Sequence, residues 1–235
     1  MEVNGYNIEP YADLQGANLT RANLEGANLT RANLEGANLT RADLTTAKLQ
    51  GANLTRANLA QAGLAQAGLA RANLFKAFLK GVNLQAADLQ EASLHGADLS
   101  GAFLKKADLK GVNLEEVNLE GADLQEASLH GANLTRANLT RANLFKAFLK
   151  GANLQATNFT QANLQAANLS GVNFRVLLIQ TDWESMSWSQ LEGTDPFEEE
   201  VGANLKGADL TGANLNEAKW DESTVWPEGF TPPKE

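Results

Sequence analysis

The stretch ANLTRANLEGANLTRANLEGANLTRADL, residues 17–44, repeats one small grammar every five residues: a small apolar residue, a polar one, a leucine, then two more polar or glycine positions. The pattern is far longer than this segment. From Leu14 to Phe174 every fifth residue is Leu or Phe, 33 units without a break. The residue two before is Ala in 28 of them, Val at 82, 112, 117 and 172, and Thr at 157. Between the two lies Asn or Asp in 25 of the 33.

A five-residue period is wrong for an α-helix. At 3.6 residues per turn, successive leucines would rotate by about 140° and line no single face. The order small apolar, polar, large apolar is instead the in–out–in alternation of an extended chain. Two further residues then turn the backbone before the next stroke. Asn, Asp and Gly suit such turns through side-chain-to-backbone hydrogen bonds or permissive dihedrals. A short stroke and a corner, repeated, winds into a coil with the leucines on its axis. One coil cannot repay the entropy of ordering it, so coils must stack.

These residues, A(N/D)LXX in tandem, resemble the pentapeptide-repeat family over 14–174 and again over 203–220. The resemblance implies an all-β fold, a right-handed quadrilateral β-helix of about nine coils with four units per turn. Period five alone would also permit a three-sided coil. The organisation expected is an N-terminal cap at 1–13, the β-helix at 14–174, a loop excursion at 175–202, one final coil at 203–220, and a cap and tail at 221–235. Val3, Tyr6, Ile8 and Tyr11 suit a short capping strand. Residues 175–202 carry Trp183 and Trp188 among large apolar residues, and the clock restarts at Ala203 out of phase by one residue. Val225 to Phe230 would cover the far end.

Composition narrows function mainly by exclusion. There is no cysteine, hence no disulfide and no thiolate chemistry. The longest aliphatic run, Val176 to Ile179, is far too short to span a membrane. No basic-then-apolar leader opens the chain, so a cytoplasmic protein is the expectation. The net charge of −9 resides entirely in residues 175–235, because acids and bases cancel before that. Such a tail reads as a solvated end.

Chemistry-bearing constellations are scarce. His95 and His130 recur in the identical run DLQEASLHGA at 88–97 and 123–132, each one residue after a core leucine. Both should face solvent, on adjacent sides of the column. No phosphate-cradling loop, nucleophile elbow or metal-ligand spacing is present. The expectation is therefore no catalytic residue, no cofactor and no metal, in a scaffold for an unknown protein partner.

The candidate interaction surface is a set of phenylalanines. RANLFKAFLKG occurs at 71–81 and again at 141–151. In the repeat frame Phe75, Phe78, Phe145 and Phe148 point outward, as does Phe103. They are either docking anchors or the by-product of segmental duplication. With four units per turn the two copies lie on opposite sides. The family resemblance also brings an alternative: some members resemble B-DNA in size and charge and bind DNA gyrase, giving quinolone resistance. Outward charges assigned to four faces leave no acidic stripe here, which disfavours that role. Direct nucleic-acid binding is disfavoured as well, since three arginines on one face, Arg21, Arg41 and Arg141, make no phosphate track.

Overall fold

The computed structural model describes residues 1–174 and 203–232. Its column is built from parallel bridges between residues 20 apart: Asp13 with Asn33, Asn18 with Asn38, Asn23 with Asp43, Asn28 with Lys48, and so on. Twenty residues are four pentapeptides, so the coil is four-sided. Faces 1 to 4 are the stacks that begin at Asp13, Asn18, Asn23 and Asn28. At about 4.8 Å per coil, nine coils make a column on the order of 43 Å long.

Within the column, each pentapeptide with Asn or Asp at its middle position satisfies all five of its N–H groups, and the units around Asp13 show how. Leu14 N–H donates to Asn33 C=O on the next coil (2.7 Å), and Gly16 N–H to Glu35 C=O (2.8 Å). Ala17 N–H closes the corner onto Leu14 C=O (3.0 Å). The middle residue donates downward, as Asn33 does to Ala12 C=O (2.9 Å). The remaining N–H, on the first corner residue, has no backbone partner in this geometry. The side chain of the middle residue accepts it: Gln15 N–H to Asp13 Oδ1, Thr20 N–H to Asn18 Oδ1. That is the physical reason for Asn or Asp at this slot.

Asn, Asp and Gly suit the corners on sequence grounds, and the structure adds where each acts: Gly stands in the corner, while Asn and Asp serve it from outside. Asn and Asp stand at mid-stroke and reach into the corner. The second corner residue is left-handed in every unit from position 16 to 171, with Gly at 12 of these 32 positions and ordinary residues such as Arg21 (φ 56°), Thr46 (φ 57°) and Gln61 (φ 58°) at the others. A Leu-to-small hydrogen bond with positive φ at the third residue is the type II turn pattern.

The core is the axis. Leu14 through Leu169 at the large slots are 0–2% exposed, with Phe159 and Phe174 taking the same place. Thr157 occupies a small slot and stays buried by donating its hydroxyl to Leu134 C=O (2.8 Å). Middle-slot amides also ladder between coils on the outside. On face 2, Asn138 Nδ2 donates to Asn118 Oδ1 and Asn118 Nδ2 to Asp98 Oδ1, both at 3.1 Å.

The N-terminal end is closed by a hairpin, not by the single strand expected. β1 (Glu2–Val3) pairs antiparallel with β2 (Tyr6–Asn7). Asn4 (φ 53°) and Gly5 (φ 80°) form the turn between them; Asn-Gly is the residue pair such a two-residue turn selects. Tyr6 Oη accepts the N–H of Asn18 (3.3 Å), and Asn4 Nδ2 donates to its C=O (3.2 Å). The hairpin thus supplies both bonds that a coil below would have made there. Tyr11 takes no part in this cap; it is 67% exposed.

At the other end Asn158 bridges Asn204, 46 residues on rather than 20, and the next three faces follow suit at Asp209, Asn214 and Lys219. The 26 extra residues absorb the phase slip, and the column resumes in register. The expected excursion at 175–202 lies outside the described residues. Val225 adds a last stroke on Asn204. Trp226 meets Phe174 edge-on (5.7 Å), Trp220 edge-on (5.7 Å) and Phe230 in a stack (5.3 Å).

Candidate protein interface

The outward phenylalanines arise from two positions of the repeat. Phe78, Phe103 and Phe148 occupy the middle slot that usually holds Asn, on faces 2, 3 and 4. They are 55%, 48% and 44% exposed, the largest aromatic exposures after Tyr11 among the described residues. Phe75 and Phe145 are first-corner residues and are half-buried, so their outward placement is only partial. A phenylalanine in the Asn slot has no acceptor for the corner N–H, here that of Lys80, Lys105 and Lys150. Each substitution therefore gives up a hydrogen bond worth about 0.5–1.5 kcal/mol in order to display a ring.

Phe75 is half-buried because it is stacked. His95, one coil above, lies parallel to it (centroids 5.5 Å, planes 5°), and Lys76 Nζ sits 5.1 Å from the ring centroid. His95 also faces Glu115 (3.7 Å) and Glu116 (3.8 Å), and Glu116 in turn faces Arg136 (3.8 Å). His130 is stacked as well, on Phe148 (6.0 Å, 12°), with its Nδ1 3.0 Å from Ser128 Oγ. The repeat frame places both histidines facing solvent. The structure makes each the partner of an outward phenylalanine, a contact legible only once coils are in register. The two pairs form differently: Phe75 stands 20 residues before His95, whereas Phe148 stands 18 after His130.

Phe75 and Phe78 flank the edge between faces 1 and 2; Phe145 and Phe148 flank the opposite edge, between faces 3 and 4. Phe103 lies on face 3, one coil above Asn83. The structure thus brings Phe75, Phe78 and Phe103 to two adjoining faces across two coils, and separates Phe145 and Phe148 from them.

Electrostatically the repeat surface is mixed. Arg71 pairs with Glu91 (2.8 Å), Lys106 with Glu126 (3.6 Å) and Arg136 with Glu116, each joining neighbouring coils at a corner. Asp43 is held below the usual carboxylate range by the hydroxyl and then the N–H of Thr45; Asp209 is held low by the side chain of Gln165 and the N–H of Thr211. Among the described residues no group of three or more His, Asp or Glu side chains is arranged to hold a metal ion. No helix among them is long and apolar enough to cross a membrane.

A four-sided β-solenoid with an apolar axis and a patterned exterior is a repeat fold by class. The pentapeptide-repeat family model matches residues 11–175 in overlapping segments, and 201–221. The chain belongs to the pentapeptide-repeat family, and its helix is right-handed as in that fold. It is similar to HetL of the cyanobacterium Nostoc sp. strain PCC 7120, a protein involved in heterocyst differentiation regulation: 32% identity over 95% of this chain and 92% of that one, TM-score 0.47. It is similar in fold to trypsin-treated QnrB1, a plasmid-mediated fluoroquinolone resistance protein: 16% identity, 83% and 87% coverage, TM-score 0.52. Rfr23 of the cyanobacterium Cyanothece 51142 is 29% identical over 63% of this chain and 65% of that one, TM-score 0.23. No curated protein matches the chain.

Proposed function

We propose that the protein is a non-catalytic scaffold that binds another protein through the aromatic edge at Phe75 and Phe78, with Phe103 beside it. The observation that carries this reading is the trade at Phe78. A slot whose Asn would have hydrogen-bonded the corner holds a ring that is more than half exposed. Rigid display suits the fold, because the leucine axis fixes the backbone and leaves the outward slots free. We further propose the division of the chain into a cap at 1–13, the β-helix at 14–174, an excursion at 175–202, a final coil at 203–220 and a terminal cap at 221–235.

Imitation of DNA toward gyrase has less support. Three corner carboxylates, Glu91, Glu126 and Glu116, are paired with Arg71, Lys106 and Arg136, which breaks up any continuous negative edge. Affinity capture tests the main reading. Partners retained by the wild-type chain should be lost on Phe75→Ser plus Phe78→Ser with the fold intact. An unchanged set of partners would refute it. Inhibition of gyrase supercoiling at micromolar protein would instead favour DNA mimicry.

A further inference from the structure

The exposed phenylalanines are not surrounded at random. Lys76 and Lys80 flank Phe78, and Lys105 and Lys106 follow Phe103. Among the described residues, Lys76, Lys80 and Lys105 have no carboxylate within ion-pairing distance, whereas Lys106 is taken by Glu126. Asp98 and Asp123 stand directly above Phe78 and Phe103, but they are engaged elsewhere. Asp98 accepts from Ser100 N–H (3.0 Å) and Asn118 Nδ2; Asp123 accepts from Gln125 N–H (3.2 Å) and Asn143 Nδ2 (3.4 Å). Three lysines therefore stand beside three rings without an ion pair of their own, the nearby Asp98 and Asp123 turning their oxygens to amide donors instead. The patch is two coils high, about 10 Å along the axis, and wraps transversely over faces 2 and 3.

We infer that this patch binds a short acidic peptide segment carrying aromatic or aliphatic anchors, the carboxylates meeting Lys76, Lys80 and Lys105 and the anchors packing on Phe75, Phe78 and Phe103. Charge complementarity fixes the sign of the partner, and the rings require an apolar component. Size fixes its kind. A standard protein interface uses about 20–30 residues a side; six side chains suit a peptide motif. A nucleic-acid strand needs a longer cationic track, and Glu115, Glu116 and Glu120 interrupt any such track within two coils of Phe78. The inference rests on the docking reading above and gives it a partner chemistry.

The test is fluorescence anisotropy of a labelled twelve-residue peptide containing two glutamates for every aromatic residue, titrated with the full chain. Binding should weaken tenfold or more on Lys76→Glu plus Lys80→Glu and on Phe78→Ser. Lys110→Glu, on the edge between faces 4 and 1, should leave it unchanged. Replacing the peptide aromatics by Ser, or its glutamates by Lys, should also weaken it tenfold. Equal binding by the Lys76/Lys80 variant overturns the inference. So does tighter binding of a twelve-residue oligothymidylate or of phosphatidylserine vesicles, or self-association of the chain that depends on Phe78. If the peptide fails while partner capture still depends on Phe75 and Phe78, only the peptide chemistry falls. If capture is also insensitive to them, the docking reading falls with it.

Discussion

The imidazole of His95 lies flat on the ring of Phe75, 5.5 Å between centroids and 5° from parallel, although the two are 20 residues apart. One coil separates them, and through Asn153 each middle-slot residue of the column neighbours the one 20 ahead. This fixed offset makes the surface predictable and its substitutions separable from the core.

The trade at Phe78 predicts opposite effects on stability and binding. Phe78→Asn restores an acceptor for the Lys80 N–H and a rung near Asp98 and Asn58. It should raise stability by about 0.5–1.5 kcal/mol, read by urea unfolding, while abolishing partner capture. Loss of stability would show that Phe78 packs rather than displays.

Asn118 sits where three bonds converge: it accepts from Glu120 N–H (3.2 Å) and Asn138 Nδ2, and donates to Asp98. Asn118→Ala should cost about 1–3 kcal/mol in the same assay. A cost no greater than that of Lys110→Ala would mean the ladder contributes nothing.

The corners carry conformational strain that glycine relieves. Thr46 is β-branched and left-handed, which costs roughly 1–2 kcal/mol relative to an unstrained residue. Thr46→Gly should raise the melting temperature, despite losing the hydroxyl bond to Thr45 C=O (2.7 Å). Gly101→Val, at φ 64° with open space around its Cβ position, should lower it through the backbone alone.

Acid should weaken the column through Asp43 and Asp209. Both carboxyls are held low in the folded state, so their contribution is complete above the ordinary carboxylate value of about 3.9 and is lost as pH falls through the depressed values. Asp43→Asn should flatten the acid limb of a stability–pH curve. An unchanged limb would show that Thr45 does not favour the ionised form.

Much of this was legible in the sequence, for a physical reason. The leucine axis and the outward slots follow from the five-residue period, since in–out–in strokes leave no other placement for Leu104 or Phe78. What the period hides is anything set by the offset between coils or by the ends. The stacking of His95 on Phe75 needs the four-sided register, which a period of five does not supply. The spacing of Val3, Tyr6, Ile8 and Tyr11 suits one strand, whereas the structure pairs Glu2–Val3 with Tyr6–Asn7 in a hairpin. The turn signal Asn4-Gly5 between Val3 and Tyr6 was there to separate two. The middle-slot Asn is needed because the first corner N–H has no backbone acceptor, a vacancy set by the register between coils.

The measurement closest to the centre of this account compares one charge placed at two depths. Leu104 is 1% exposed and Gln85 is on the surface. Leu104→Asp should abolish cooperative thermal unfolding, because an unpaired carboxylate cannot be held in the axis, while Gln85→Asp should melt within a few degrees of the wild-type chain. Equal melting of the two variants would contradict the inward placement of the leucines, and with it the display of every residue between them.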